Sequence, residues 1–172
     1  MTDFSPSITI EQAMDAMKVF LAPICGIAEI VRAQVNRVAM PPSPCVVMTE
    51  VLQIDLGTPA ENQTEDSTAT ISGPKRADIQ LDFYGDNAGE MCSVTKSALR
   101  TDWGYNQFPA NIKPLWSDDG RQNFLTTGEQ QYETRWILTV ALQVNSAFTV
   151  PQQSANVLAV AETINVNLEY PL

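Results

Sequence analysis

The first apolar stripe of the chain has the spacing of an amphipathic helix. Thr9 can cap its amino end together with Gln12, and apolar residues follow through residues 10–21 at intervals of three and four. Pro23 and Gly26 come next, and both residue types commonly end helices. The pattern therefore predicts a helix over residues 10–21.

A second stripe follows Asp86 and Asn87, either of which can cap a helix that runs to about Arg100. Its predicted core-facing residues are Met91, Val94, Ala98 and Leu99. A short turn containing glycine separates this helix from the strand before it. We therefore expect the helix to pack back onto the same sheet.

Strict alternation of apolar and polar residues predicts strands at residues 45–56, 76–84 and 132–144, and again near residues 163–170. In the first strand, the even-numbered residues from Val46 to Leu56 form the predicted buried face. In the second strand, Ala77, Ile79, Leu81 and Phe83 point inward, and Asp78, Gln80 and Asp82 point outward. In the third, Trp136, Leu138, Val140, Leu142 and Val144 share one face.

The second face of the third strand is less polar than a solvated face needs to be, because it carries Ile137 and Ala141 beside Thr139. Two explanations are open. A helix of the same chain covers it, or a neighbouring subunit does.

The segments between these elements are less regular. Residues 27–40 fit a strand or a helix, and a group of prolines ends them. Residues 57–73 are predicted to be an exposed loop or a hairpin arm, and residues 151–172 a C-terminal strand segment. Residues 101–128 are predicted to be a long, mostly irregular loop, with a turn at Asp119–Gly120 and short strands on either side.

The order of elements predicts one α+β domain over residues 1–172, with two helices packed on a mostly antiparallel, mixed β-sheet. The length and the hydrophobic fraction of 44% allow a core of ordinary size.

Charge narrows the choice of partners. Twenty acids against ten bases give a net charge of −10, which disfavours capture of nucleic acid and of anionic membrane surfaces. The amino terminus lacks the basic and apolar regions of a signal peptide, so we expect assembly in a cytosol. Cys25, Cys45 and Cys92 are then expected to be reduced, packed thiols.

Signals for catalysis are weak. The chain has no histidine, which removes the commonest general base and metal ligand, and it lacks the known phosphate-binding glycine motifs. Asp78 and Asp82 lie on one strand face and could hold a divalent metal in a small enzyme. Their other interpretation is a solvated strand face, which is the commoner arrangement. We predict no catalytic residue, no cofactor and no metal site.

Large aromatic residues are concentrated in the predicted loop. They pack either as a small core under the loop or as a surface that contacts a partner, since aromatic residues are enriched at interfaces. The candidate interface residues are Trp103, Tyr105, Phe108, Trp116 and Phe124, together with Ile137 on the following strand.

Several strings from residue 44 onward carry a resemblance to a known family. They are VVMTEVLQI at 46–54, LGTP at 56–59, ADIQLDFYG at 77–85, QFPANIKPL at 107–115, DGR at 119–121 and TGEQQYETRW at 127–136. In these strings the chain resembles the neck (tail) terminator proteins of tailed bacteriophages. The acidic stretch 60–68 departs from the family pattern.

The resemblance implies a structural virion protein of the neck and tail, assembled in the bacterial cytoplasm. Such proteins form a ring, commonly a homohexamer, that caps the tail tube and halts its polymerisation. The ring joins the tube to the head-completion proteins, and genomic DNA passes through its lumen without specific binding. A head-completion or stopper protein, a monomeric ligand-binding module and the carboxylate-dependent enzyme are the alternatives.

Overall fold

The computed structural model describes residues 4–26, 28–33, 39–64, 68–126 and 132–152. In that part the fold is α+β, with three helices and a seven-stranded sheet. The elements are α1 (Ile10–Cys25), β1 (Glu29–Arg32), β2 (Cys45–Asp55), β3 (Ala60–Thr64), β4 (Thr68–Tyr84), α2 (Ala88–Leu99), α3 (Asp102–Gln107), β5 (Ile112–Ser117), β6 (Arg121–Thr126) and β7 (Tyr132–Pro151).

The sheet is built around two long strands, β4 with 17 residues and β7 with 20 residues. Its strand order is β1-β2-β4-β7-β5, with β3 added beside β4 and β6 beside β7. The β1–β2 pair is parallel and every other pair is antiparallel. The predicted mixed, mostly antiparallel sheet is therefore confirmed.

The helices pack on one side of the sheet, which we call the core face, and the opposite side is the outer face. Fully buried side chains of β4 and β7 meet the helices on the core face, and each contributes about 1.5–3 kcal/mol of transfer free energy. They include Ile79, Leu81, Phe83, Leu138 and Val140. The alternation predicted for both strands is confirmed on this face.

Helix α1 extends beyond its predicted end. The Thr9–Gln12 capping box begins it as expected, but it continues to Cys25 with Pro23 inside its last turn. A proline there removes only one hydrogen bond of the turn, and the backbone N–H of Gly26 still donates to Ala22 O at 3.2 Å. Gly26 has φ of 60°, so this glycine, and not the proline, ends the helix.

Helix α2 has a different buried stripe from the predicted one. Met91 and Leu99 are buried as expected, but Val94 is 52% exposed, whereas Cys92 and Thr95 are buried. The burial follows positions 88, 91, 92, 95 and 99, a spacing of three and four that excludes residue 94.

A β-bulge changes the side on which the second half of β2 presents its side chains. Val46 and Met48 are buried on the core face as predicted, but the register shifts between Glu50 and Leu52. Beyond the shift, Leu52 pairs with Asp78 and Ile54 pairs with Arg76. The side chains of Leu52 and Ile54 therefore both lie on the outer face. The prediction that the even-numbered apolar residues share one buried face is wrong beyond residue 50. An extra residue in one strand inverts every later side chain.

Residues 57–73 were predicted to be an exposed loop or a hairpin arm, and their described part contains an antiparallel pair of strands. Strand β3 pairs with residues 68–72 of β4, and β7 runs beside the same part of β4 as far as Pro151. The described part of the predicted long loop 101–128 is instead the short helix α3 followed by β5 and β6. These are the short strands expected on either side of Asp119–Gly120.

In the ambiguous segment 27–40, residues 29–32 form strand β1. The strand predicted at residues 163–170 lies outside the described residues.

Candidate functional site

Helix α3 presents the first two candidate aromatic residues on the helix side of the molecule. Its amino end is capped by the Thr101 hydroxyl, which accepts from Gly104 N at 3.2 Å. Gly104 lies against the end of α2, where an added Cβ would be 2.1 Å from Ala98 O. Because this position has no side chain, α3 packs directly on the α2 backbone. Trp103 and its neighbour Tyr105 then project away from that contact.

Both aromatic side chains of α3 are half exposed. Trp103 is 46% exposed and its ring centroid lies 5.9 Å from that of Phe20 in α1. Tyr105 is 49% exposed and lies under the Lys113 ammonium, 4.2 Å from the ring centroid. The same ammonium donates to Tyr105 O at 3.2 Å and Phe108 O at 3.0 Å, which fixes the end of the helix. These rings are held in place and remain accessible.

Phe108 belongs to the core. It is 3% exposed and its ring stacks on Phe20 at 5.2 Å between centroids. The aromatic segment therefore has features of both alternatives, a small core and an exposed surface. Phe108 packs in the core, and Trp103 and Tyr105 face outward. Phe124 pairs with Thr134 through the β6 backbone, and its side chain lies outside the described part of the structure.

Trp116 lies on the opposite side of the molecule. It pairs with Ala141 on the outer face, is 46% exposed, and has the Arg76 guanidinium 5.3 Å from its ring centroid. Ile137 is on the same face, half-buried and paired with Asp82. The candidate residues are thus divided between two sides of the sheet and do not form one cluster.

Two further exposed residues on the outer face were not predicted as site residues. Leu52 is 45% exposed and Ile54 is 41% exposed. The register places Leu52 at the same level of the sheet as Trp116, with β4 and β7 between them, and Ile54 lies two residues further along β2. We call Leu52, Ile54 and Trp116 the outer-face patch. The sequence signal for it was the apolar alternation of residues 46–56 itself, but the bulge that turns it outward has no distinctive residue at Val51.

The two strand aspartates are buried on the outer face, so their predicted exposure to solvent is wrong. Asp78 is 5% exposed, and its two carboxylate oxygens accept hydrogen bonds from Arg76 Nε and Nη2, both at 2.7 Å. Asp82 is 4% exposed and accepts from Arg135 at 3.0 and 3.3 Å. Arg76, on the same strand, engages Asp78, whereas Gln80 on β4 and Arg135 on β7 engage Asp82. Even without a helix above them, these groups are shielded from water.

These ion pairs also bear on the metal-dependent alternative. A guanidinium already neutralises each carboxylate, and both oxygens of each accept hydrogen bonds, with Gln80 Nε2 donating to both oxygens of Asp82, so neither offers the free ligand oxygens that a divalent cation needs. Among the residues that the structure describes, no group of three or more histidine, cysteine or acidic side chains is arranged around a common point.

The three cysteines are buried and free, as predicted. Burial raises the pKa of the Cys25 thiol to about 11. It raises that of Cys92 to about 11 as well, with a smaller contribution from the negative charge of Asp118. Neither thiol is activated as a nucleophile, because a reactive cysteine needs a lowered pKa.

None of the helices in the described ranges is long and apolar enough to cross a bilayer.

Among curated protein sequences, none matches the chain. The sequence profile of a family described as phage neck terminator protein matches residues 11–169, which is nearly the full length. On this match, and in agreement with the resemblance of its strand motifs, the chain belongs to the phage neck terminator protein family.

Proposed function

We propose that this protein is the ring-forming tail terminator of its phage. Copies of the chain close into a ring, expected to be a homohexamer, that caps the finished tail tube and stops its polymerisation. The opposite side of the ring binds the head-completion proteins. Membership of the family supports the general part of this proposal, which is a structural role in the neck or tail of the virion. In that role the protein associates with other phage proteins.

The observation that supports assembly is the exposure of large side chains on both sides of the sheet. Trp103 and Tyr105 on the helix side and Trp116 on the outer face are each about half exposed. Rigid aromatic side chains that remain accessible in a monomer are typical of interface centres. A subunit of a ring needs two different contact surfaces, and aromatic residues on two sides meet that need.

The net charge supports passage of the genome through the ring. With a charge of −10, most of the surface repels phosphates, so an acidic lumen would let DNA move without being held. DNA retention by a ring whose lumen remains acidic would argue against this step.

The direct test combines native mass measurement with negative-stain imaging, first of the purified protein and then of the protein mixed with isolated tail tubes of the phage. The expected result is a ring on the tube end and arrest of tube growth. Binding to the connector side of isolated heads, without binding to tubes, would instead identify a head-completion or stopper protein. Binding to neither would contradict the proposal.

A further inference from the structure

The described part of the outer face is close to electrically neutral, although the chain as a whole is strongly acidic. Among the described strand residues, its register positions hold three arginines against four acids, a net charge of −1; they are Arg76, Arg121, Arg135, Glu29, Asp78, Asp82 and Glu133. Lys113 shares such a register position, but its ammonium lies against α3. Another copy of this acidic chain therefore meets little repulsion between like charges when it approaches the described part of the outer face.

The same face carries the outer-face patch. Leu52, Ile54 and Trp116 keep 41 to 46% of their surface accessible, and no helix of the described residues lies above them. Beneath the patch, the Asp78 carboxylate is already neutralised and shielded by Arg76. A partner that covers the patch would therefore bury apolar surface without stripping water from an unpaired charge.

The complementary surface lies on the far side of the sheet. On α3, Trp103 and Tyr105 are exposed, and Asp102 precedes them in the first turn. Two unlike surfaces on opposite sides of one subunit are the requirement for a head-to-tail contact that closes into a ring. Across such a contact, Asp102 of one copy would face Arg121, which is 77% exposed and held only by a surface ion pair with Asp118 at 3.1 Å.

We infer that the repeating contact of the ring joins the outer-face patch of one copy to helix α3 of the next copy. This inference rests on the proposed ring and names the two surfaces that form it. The aromatic rings of α3 lie against Leu52, Ile54 and Trp116, and the bulge in β2 is the feature that makes the contact possible. Without the bulge, Leu52 and Ile54 would lie on the core face.

Engineered cysteines test this contact in the full chain. The three native thiols are buried, so they do not compete for a short bis-maleimide cross-linker. The double variant Leu52→Cys with Tyr105→Cys should give covalent dimers, trimers and larger species on denaturing gels. Each single variant alone should give none of these, and a mixture of the two single variants should stop at dimers.

The matched control is Val19→Cys with Val94→Cys. Both positions are more than half exposed, at 62% and 52%, and both lie on the helix side, so a head-to-tail contact should not cross-link them. A ladder from this control, or dimers from Leu52→Cys alone, would overturn the inferred contact in favour of a different or a symmetric one.

Mass measurement on the same samples separates failure of this contact from failure of the proposed function. If the Leu52 and Tyr105 double variant is oligomeric but forms no ladder, the contact is wrong and the ring stands. If the wild-type chain associates neither alone nor on tail tubes, the proposed function fails and the contact fails with it.

Discussion

Removing the charge of Asp78 tests whether the outer face excludes water. Asp78→Asn keeps the shape of the side chain but replaces the carboxylate that holds Arg76 through two hydrogen bonds of 2.7 Å. Breaking a fully buried pair costs 3–5 kcal/mol, but the Arg76 side chain is 25% exposed and water can partly replace the lost partner. We therefore expect the free energy of unfolding to fall by about 2–3 kcal/mol.

For a chain of this size, such a loss lowers Tm by roughly 5–10 °C. The assay is urea unfolding followed by tryptophan fluorescence, together with a thermal melt, at one protein concentration. The matched control is Asp119→Asn. The Asp119 side chain is 85% exposed in its ion pair with Lys96, so its loss should leave the free energy of unfolding nearly unchanged. If both variants lose the same small amount, the outer face is solvated and our account of the buried ion pairs is wrong.

Three other predictions concern the packing of α3, the buried thiols and the outer-face patch. Gly104→Ala should destabilise the protein by about 1–3 kcal/mol in urea unfolding, although alanine is the better helix former, because its Cβ would lie 2.1 Å from a carbonyl oxygen. Gly57→Ala, with no atom within 4 Å of the added Cβ, is the control, and an equal effect of the two would refute the packing argument. At pH 8, Cys25 and Cys92 should react with iodoacetamide about 100-fold more slowly in the native protein than in urea, because burial raises the pKa of both thiols from 9.0 to about 11; equal rates would contradict this. The pKa of each thiol is higher in the folded protein than in the unfolded chain. The protonated thiols therefore make their full contribution to the free energy of unfolding below pH 9, and this contribution is lost as the pH rises through about 11. Ile54→Asp should weaken self-association tenfold or more in sedimentation experiments, without a change in the unfolding free energy, and unchanged association would exclude Ile54 from the contact.

The secondary structure that the sequence predicted correctly is the part fixed by local periodicity. The core faces of β4 and β7 follow from simple alternation, and the capping box placed the start of α1. These features depend only on residues close together in the chain. The end of α1 did not follow from the same reasoning, because the effect of Pro23 depends on how near it lies to the final turn.

The features that the sequence did not predict depend on contacts between distant segments. A bulge at residue 51 is decided by pairing with β4, and no residue type marks it. The burial of Asp82 depends on Arg135, which is 53 positions away in the chain. Helix α3 was hidden because Gly104 weakens a helical pattern, and its reason is the close approach to Ala98. The role of the candidate aromatic residues at an interface stays a prediction, and their division between two sides of the sheet did not follow from the sequence.

A cryo-electron microscopy reconstruction of the virion neck tests the central claim most directly. The account predicts a closed ring of copies of this chain, expected to number six, seated between the end of the tail tube and the head-completion proteins. In that ring, the outer face of each copy should lie against α3 of its neighbour. A neck that contains no density for this fold between head and tube would contradict the account.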